Sequence, residues 1–288
     1  MSLAKQLRIG GVPEHFNLPW KLAVADRAFD SISVDVEFIE HPGGTGAMTA
    51  ALRADKLDAA LMLTEGAALD IVTGGDNRLV SVYVESPLVW GIHVSASSAI
   101  KNVADIAGQR FAISRYGSGS HLIAIVDAAE RGFDTQSMSF VVVDTIDGAR
   151  EALAAGAADV FLWERHMTQP LVEAGEFRRI GERVVPWPAF VVSARRAYLS
   201  HSADALRRCL EIVADYAARL KHGADSAELI SKTYAIDLAD ANAWLAGVRW
   251  SQDHEYPADD IHRVLTALRS QGVIPDAEVS EKALWHVL

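Results

Sequence analysis

Three glutamates stand directly after short apolar runs of the chain: Glu14, Glu65 and Glu164. If those runs are strands of an open α/β sheet, the glutamates lie beyond the carboxyl ends of strands, where such sheets bind ligands. A carboxylate that faces a closed cleft needs a partner, because an unpaired buried charge is costly. The glutamates therefore predict a ligand with amine or N–H donors, although each could instead cap a helix or pair with a nearby arginine.

Two glycine-rich loops each lead into a helical pattern, Gly43-Gly44-Thr45-Gly46 and Tyr116-Gly117-Ser118-Gly119-Ser120-His121. Backbone N–H groups at a helix N-terminus bind carboxylate, sulfonate or phosphate groups, and glycine permits close approach. Neither loop has the spacing of a Walker motif or of a dinucleotide fingerprint. Helix capping alone would also explain them. Beside the glutamates, the pair predicts a zwitterionic ligand or an amino-substituted ring.

Aromatic residues near these loops are candidates for the walls of a small-molecule pocket. We expect Trp163, Trp187 and Phe190 to line it, whereas Trp20 and Trp90 are assigned to the core. His15, beside Glu14, is a candidate hydrogen-bonding residue of the pocket, or a general base if the site is catalytic.

Catalytic and metal signals are weaker. Ser118 lacks a GxSxG context, and no His–Asp pair can be assigned to it. The segment DHEYPADDIH, residues 253–262, has the composition of a metal cluster but no metal-ligand spacing. With Cys209 as the single cysteine, a disulfide or a cysteine zinc site is excluded. No catalytic residue, metal or cofactor is expected.

Composition and charge restrict the class of protein. The chain has 288 residues, of which 50% are hydrophobic and 23% charged, as in globular proteins. Its net charge of −11, with no basic run, argues against binding to nucleic acid or anionic membranes. No apolar stretch is long enough to span a bilayer, and the N-terminus has no apolar signal region. We expect a monomer, cytoplasmic as the chain stands and periplasmic if a signal was removed.

The elements that must position these residues alternate between strand and helix, which predicts an α/β fold with largely parallel strands. Helices are expected at 46–54, 120–131 and 148–155, and after residue 203 the pattern is almost entirely helical. The predicted strands lie at residues 7–12, 34–39, 59–63, 79–84, 90–94, 110–114, 139–143, 160–163, 178–180 and 189–193.

A weak internal repeat links residues 51–66 to residues 152–166. In each segment a helix end is followed by an aspartate, Asp58 or Asp159, an apolar strand and a glutamate. Each segment also follows one of the glycine-rich loops. The repeat predicts two similar lobes that face each other across a cleft.

Several motifs together resemble the type II periplasmic-binding-protein family, in particular its sulfonate/nitrate/taurine and thiamine-pyrimidine binding group. The resemblance covers essentially the whole chain and points to a subfamily of bacterial and fungal members that often lack signal peptides. The motifs are GVPEHFNLPWKLA, PGGTGAM, LTEGAA, YVESPLVWGIHV, ISRYGSGSHL, FLWERH and FRRIG followed by VPWPAFVV.

The resemblance implies two lobes, each a mixed, mostly parallel sheet flanked by helices, with a helical C-terminal extension. Lobe 1 would comprise residues 1–92 and 190–288, and lobe 2 residues 93–189, with hinge crossovers near 87–94 and 187–191. The lobes would close around the ligand by hinge bending. The implied ligand-binding positions are Glu14, His15, Gly44, Thr45, Gly46, Thr64, Glu65, Ser118, Gly119, Ser120, His121, Trp163, Glu164, Trp187 and Phe190.

The expected function is therefore that of a solute-binding protein, as in ABC transporters, with an ABC permease as a possible partner. An enzyme on the same scaffold is the alternative, performing elimination or pyrimidine-related chemistry with His15 or Glu14 as base. Related pyrimidine-synthesising enzymes carry a cysteine-rich motif that this chain lacks. A sensing module of a larger regulator is a third interpretation, which the absence of a DNA-binding segment disfavours.

Overall fold

The computed structural model describes residues 5–274 and 280–288. The strands are β1 (Lys5–Gly11), β2 (Val34–Glu40), β3 (Ala59–Leu63), β4 (Asn77–Val84), β5 (Val89–Ser95), β6 (Arg110–Ile113), β7 (Ser139–Val142), β8 (Val160–Glu164), β9 (Phe177–Val184) and β10 (Phe190–Arg195). The α-helices are α1 (Leu18–Ala25), α2 (Gly44–Arg53), α3 (Thr64–Val72), α4 (Gly119–Glu130), α5 (Ile146–Ala154), α6 (Arg165–Glu173), α7 (Arg196–His222), α8 (Ser226–Tyr234), α9 (Leu238–Gly247) and α10 (Ala258–Ser270). Short 3-10 helices lie at His15–Asn17, Ala28–Ile32, Val103–Ile106, Thr135–Ser137 and Glu281–Leu284.

The strands form two mixed sheets with the same internal order. Sheet 1 runs β2-β1-β3-β10-β4 and sheet 2 runs β7-β6-β8-β5-β9. In sheet 1, β1 pairs in parallel with β2 and β3, and β10 is antiparallel to β3 and β4. In sheet 2, β6 takes the place of β1 and pairs in parallel with β7 and β8. β5 takes the place of β10 and is antiparallel to β8 and β9. The predicted fold class, two mixed sheets flanked by helices with a helical C-terminal extension, is confirmed.

An arginine–aspartate fork recurs at the same place in each sheet. Asp58 precedes β3 and accepts hydrogen bonds from the backbone N–H and the guanidinium of Arg8 on β1. Asp159 precedes β8 and makes the same set with Arg110 on β6. Because each carboxylate binds both the backbone and the side chain of its arginine, the fork fixes the position of one strand against its neighbour.

The glutamates of the sequence repeat do not occupy equivalent places, which corrects that part of the alignment. Glu164 is the last residue of β8 and the N-cap of α6, a position that Leu63 takes before α3. Glu65 is the second residue of α3. One glutamate therefore ends a strand and the other lies within a helical turn, so the two point to different surroundings.

The chain passes twice between the sheets, from β4 to β5 and from β9 to β10. We call sheet 1 with its helices half 1, and the elements from β5 to β9 half 2. The predicted boundary between residues 92 and 93 falls within β5, a strand of sheet 2. The second, between residues 189 and 190, falls at the start of β10.

Four helices follow β10 and cover half 1. Trp250, in the segment after α9, donates its indole N–H to the carbonyl of Phe16 and forms a bridge to Val84. Trp244 on α9 is buried against Phe16 and His15. The C-terminal helices thus reach the turn that follows β1. In the part of the chain that the structure describes, no helix is both long and apolar enough to cross a membrane.

Two predicted element bounds were too short. The strand expected at 178–180 extends over Phe177–Val184, where charged residues interrupt the apolar pattern because β9 is an edge strand. The helical region expected from residue 203 begins at Arg196, and backbone angles at Ser202 mark a kink within α7. Gly43 to Gly46 were expected to form a loop before α2. In the structure Gly43 is the N-cap of α2, and Gly44 and Gly46 lie in its first turn.

We predict that Asp58→Ala lowers the free energy of unfolding by about 1–3 kcal/mol, because the partly buried backbone N–H of Arg8 then loses its hydrogen-bond acceptor. Asp159→Ala is the matched control, because its fork is more exposed to solvent. The Arg110 side chain of that fork is 46% exposed, whereas Arg8 in the fork with Asp58 is 29% exposed. We expect it to cost less than about 1 kcal/mol. Urea denaturation followed by circular dichroism measures both, and equal losses would contradict this interpretation of the two forks.

Candidate functional site

A small, half-open cavity lies between the two halves, beyond the carboxyl ends of β1, β3, β6 and β8. Its volume is about 40 Å³. That space suits a few waters or a very small solute. The wall consists of Val12, Glu14, Gly44, Thr45, Leu63, Leu88, Trp90, Ser114, Ser118, Gly119, Ser120, Trp163, Glu164 and Phe190.

The N-terminus of α4 forms the half 2 side of the cavity. Ser118 caps the helix, and its hydroxyl contacts that of Ser120 at 3.1 Å. The Ser120 hydroxyl in turn accepts the backbone N–H of Ser114 at 3.0 Å. The serine hydroxyls are thus engaged with one another, whereas backbone N–H groups in the first turn of a helix have no intrahelical partner. The helix end can donate hydrogen bonds to an acceptor in the cavity.

Gly119 is required by a close approach between the halves. A Cβ atom at this position would lie 2.2 Å from Cδ1 of Leu63, in half 1, and 2.8 Å from the ring of Trp90. Contacts this short do not occur, so with any larger residue either the Leu63 side chain turns away or α4 moves from β3. Glycine is therefore what lets α4 and Leu63 adopt the close contact seen at the cavity.

The N-terminus of α2 lies on the other side. Gly44 adopts a left-handed backbone with φ of +67°, and the Thr45 hydroxyl accepts the backbone N–H of Leu63 at 3.1 Å. Arg115 reaches across from half 2 and donates a hydrogen bond to the carbonyl of Gly43. Its side chain fills the space that a Cβ atom on Gly43 or Gly46 would need. Gly46 thus admits an arginine from the opposite half and lies off the cavity wall.

Two carboxylates from opposite halves face the cavity, and no lysine or arginine belongs to its wall. Glu14 is 8% exposed and Glu164 is 4% exposed. Burial and the charge of Glu164 raise the pKa of Glu14 to about 8. Burial also raises the pKa of Glu164 to about 7, although backbone N–H groups at the start of α6 oppose this shift. Both groups are poised to hold a proton near neutral pH, or to bind a cation.

His15 lies behind the wall rather than on it. The residue is fully buried and stacks on Trp244 with ring centroids 4.1 Å apart. Its Nε2 atom is 3.9 Å from a Glu164 carboxylate oxygen, and neither ring nitrogen has a hydrogen-bond partner among the described residues. Burial holds the pKa of His15 well below its ordinary value, so the ring is neutral. A group so enclosed can support Glu164 from behind the wall.

Glu65 belongs to the second crossover. Its carboxylate accepts the indole N–H of Trp187 at 3.0 Å. The Thr64 hydroxyl donates to the carbonyl of Pro188 at 2.5 Å. Burial raises the pKa of Glu65 to about 7. Thr64, Glu65 and Trp187 therefore tie α3 to the segment between β9 and β10, outside the cavity.

The structure brings part of the predicted site together. His121 lies off the wall, where its Nδ1 accepts the backbone N–H of Gly117 and its ring packs against Phe140. The predicted residues on the wall are Glu14, Gly44, Thr45, Ser118, Gly119, Ser120, Trp163, Glu164 and Phe190. Those off it are His15, Gly46, Thr64, Glu65, His121 and Trp187. For both groups, ligand binding stays a prediction.

Sequence reasoning missed further wall residues. Val12, Leu63 and Ser114 each lie at or just after the end of a strand, where the same rule that selected the glutamates would have found them. Leu88 lies in the first crossover. Trp90 was assigned to the core, and it is buried, yet its ring also lines the cavity. Periodicity could not separate these two roles, because both place the ring away from solvent.

Within residues 5–274 and 280–288, no group of three or more histidine, cysteine, aspartate or glutamate side chains is placed to hold a metal ion. In the acidic segment at 253–262, His254 contacts the Ser81 hydroxyl, and His262 pairs with Glu281. These side chains are partnered within the fold and away from the cavity.

Known structures share this architecture. The Candida albicans CA3427 gene product, described as defining a family with the generic periplasmic binding protein fold, is 23% identical over 95% of this chain and 92% of its own, with a TM-score of 0.87. The chain has a periplasmic-binding-protein fold. The alkanesulfonate-binding protein SsuA from Xanthomonas axonopodis pv. citri, bound to MOPS, gives 19% identity, complete coverage of both chains and a TM-score of 0.84.

Other comparisons agree with this periplasmic-binding-protein fold. Escherichia coli SsuA, an aliphatic sulphonate binding protein, is 18% identical over 94% of this chain and 89% of its own, with a TM-score of 0.70. Residues 90–183 match the family described as Ca3427-like PBP. No curated protein matches the chain in sequence. The fold that the sequence motifs predicted by their resemblance to type II periplasmic binding proteins is confirmed.

We predict that Glu65→Gln stabilises the protein at pH 8 and leaves its stability unchanged near pH 4. Because the folded-state pKa of Glu65 is raised to about 7, folding disfavours its ionised form, and the free energy of unfolding falls as pH rises from about 4.5 towards 8. Glutamine still accepts the Trp187 N–H without carrying a charge. The expected gain at pH 8 is about 1–3 kcal/mol.

Urea denaturation at pH 4, 6 and 8 measures this difference between variant and wild type. Glu151→Gln, on an exposed face of α5, is the matched control and should show no comparable gain at pH 8. A Glu65→Gln variant that is less stable than wild type at pH 8 would show that the ionised carboxylate is favoured at the crossover.

Proposed function

We propose that this protein is a solute-binding protein whose two halves close around a small polar ligand that carries N–H donors, such as an amine or an amino-substituted ring. The observation that carries the proposal is the cavity between the halves, with Glu14 from one half and Glu164 from the other on a wall without lysine or arginine. A buried carboxylate requires a positive or N–H partner. The structural relatives, which include sulfonate-binding proteins, support solute binding as the general role.

Contacts between the halves support closure as the mechanism. Arg115 bonds to Gly43, Gly119 lies against Leu63, and His15 approaches Glu164. Each contact joins a residue of half 1 to a residue of half 2, and none lies in the crossovers. Such contacts can break when the crossovers bend, so the halves separate to admit a ligand and meet again around it. The ligand then shifts the population by the contacts that it makes in the closed form.

The cavity wall can also donate hydrogen bonds to an acceptor group on the same ligand. The first turn of α4, at Gly119 and Ser120, presents backbone N–H groups to the cavity. Trp163, Trp90 and Phe190 supply aromatic surface. A zwitterion, or a flat ring with an amino group and a ring nitrogen, satisfies the carboxylates and the helix end together. We extend the proposal to a monomer that delivers its ligand to an ABC permease.

A catalytic role is the second candidate, and Glu14 is the observation that favours it. A carboxyl group with a pKa of about 8, enclosed in a cavity, can act as a general acid or base near neutral pH. His15 is a poor base here because it is neutral, buried and off the wall. Recovery of an altered compound after incubation would favour the enzyme.

We predict that ligands with an amino group raise the thermal unfolding temperature, whereas their hydroxyl counterparts do not. Taurine against isethionate and ethanolamine against ethylene glycol are suitable pairs, with mass spectrometry of each sample afterwards. A ligand at a hundred times its Kd adds about 2.7 kcal/mol to the free energy of unfolding. Glu14→Gln should weaken binding about 10- to 100-fold by removing a charged hydrogen-bond partner, and Glu65→Gln, off the wall, should leave it unchanged.

Equal shifts from the amino and hydroxyl members of every pair would contradict the assignment of the carboxylates to ligand recognition. A panel without any binder would contradict solute binding of this class.

We predict that Gly119→Ala holds the cleft partly open. The added methyl group would meet Leu63 across the cavity and the Trp90 ring behind it, so the closest approach of the halves is disfavoured. Small-angle X-ray scattering should give a larger radius of gyration than for wild type. Gly247→Ala at the end of α9 is the control, because its Cβ meets no atom within 4 Å. A Gly119→Ala protein with the wild-type radius would show that this contact does not set the separation of the halves.

A further inference from the structure

We propose that Glu14 and Glu164 form a coupled carboxyl pair that holds one proton on the wall of the cleft, and that a cationic ligand displaces this proton when it binds. This inference rests on the proposed function and deepens it, because it names the ligand class as weak bases that are protonated in solution, such as amidines and aminopyridines. It also gives the pair a role in linking ligand binding to proton release.

The placement of the two groups is the first support. Glu14 lies on the turn after β1 in half 1, and Glu164 ends β8 in half 2. Both line the same cavity, and each is less than a tenth exposed. Like charges that are buried on the wall of one cavity cannot both remain ionised at low cost. One proton, or one cation, is needed in the closed form.

The local hydrogen bonds decide which group holds the proton. The Glu164 carboxylate accepts the backbone N–H of Met167 at 2.7 Å as the N-cap of α6, where the helix end favours a negative charge. The Glu14 side chain caps no backbone N–H of the turn that it precedes. The pKa of Glu14, about 8, accordingly exceeds that of Glu164, about 7. In the ligand-free closed form Glu14 carries the proton and Glu164 carries the charge.

The charged and titratable groups around the pair do not supply a substitute cation. Arg165 on α6 and Arg179 on β9 favour ionised Glu164 from outside the wall, and both pair with Glu182. His15 and His166 have lowered pKa values. Burial and the charges of Glu40 and Glu14 raise the pKa of Tyr234, on α8, well above its ordinary value. The histidines and the tyrosine are therefore neutral near pH 7, and the arginines are already partnered.

The exchange balances in protons and charge. When a cation enters the closed cavity, the O–H bond of Glu14 breaks and its proton passes to the solvent. The cavity keeps its net charge, because one positive ligand has replaced one proton. At a pH below the pKa of Glu14, each ligand bound therefore releases close to one proton.

The pair can be tested without any ligand by titrating protein labelled with ¹³C at the glutamate side-chain carboxyl and following the carbon signals by NMR. Glu14→Gln identifies the Glu14 signal. If the groups are coupled, Glu164→Gln lowers the titration midpoint of Glu14 by about one pH unit or more, because it removes the neighbouring charge. Glu65→Gln, buried at the crossover, is the control and leaves that midpoint unchanged. A Glu14 midpoint that does not move in Glu164→Gln overturns the proposal.

The exchange is tested by calorimetry with 4-aminopyridine at pH 7, in phosphate and in Tris, whose ionisation enthalpies differ. The difference in heat between the buffers should show release of about one proton or more in the wild type and clearly less in Glu14→Gln. Binding of 4-aminopyridine without proton release overturns the exchange and leaves the proposed function standing. A panel with no binder contradicts the proposed function instead. In that case the NMR titration of the ligand-free protein alone decides whether Glu14 and Glu164 are coupled.

Discussion

Burying two carboxyl groups on a wall whose described residues include no lysine or arginine is the constraint on which the site depends. Desolvation raises the pKa of both Glu14 and Glu164, and the helix end of α6 opposes this shift at Glu164. The proposed ligand class follows from this constraint. A sulfonate without an amino group would add a negative charge beside Glu164, whereas a positive or N–H-bearing group would supply a partner for the carboxylates.

The scaffold positions the site by repeating one sheet arrangement in its two halves. The forks Arg8–Asp58 and Arg110–Asp159 set the same register in each sheet, and the carboxyl ends of the central strands then face one another. Small differences between the copies create the chemistry. Where half 1 has Leu63 before α3, half 2 has Glu164 before α6, so the cavity receives one apolar and one acidic side chain from equivalent places.

The sequence allowed the two-sheet architecture to be predicted because strand periodicity, helix signals and the Asp58–Asp159 repeat are local patterns. It also placed Glu14, Ser118 and Glu164 at one site, since strand ends of a sheet meet at one edge. The positions of His15, Glu65 and Trp187 off the wall could not be predicted. They depend on contacts with Trp244 and with the second crossover, which lie far away in the chain. Trp90 was missed because core packing and pocket lining bury a tryptophan equally.

The order of strands within each sheet also has a consequence for synthesis on the ribosome. In sheet 1, β10 lies between β3 and β4, so the sheet is incomplete until residue 195 has emerged. Sheet 2 is continuous in sequence and needs only residues 89–184. Half 2 can therefore finish folding while β3 and β4 still lack β10, the strand that joins them, and domains commonly fold as units during synthesis. The half that begins the chain is the one that is completed last.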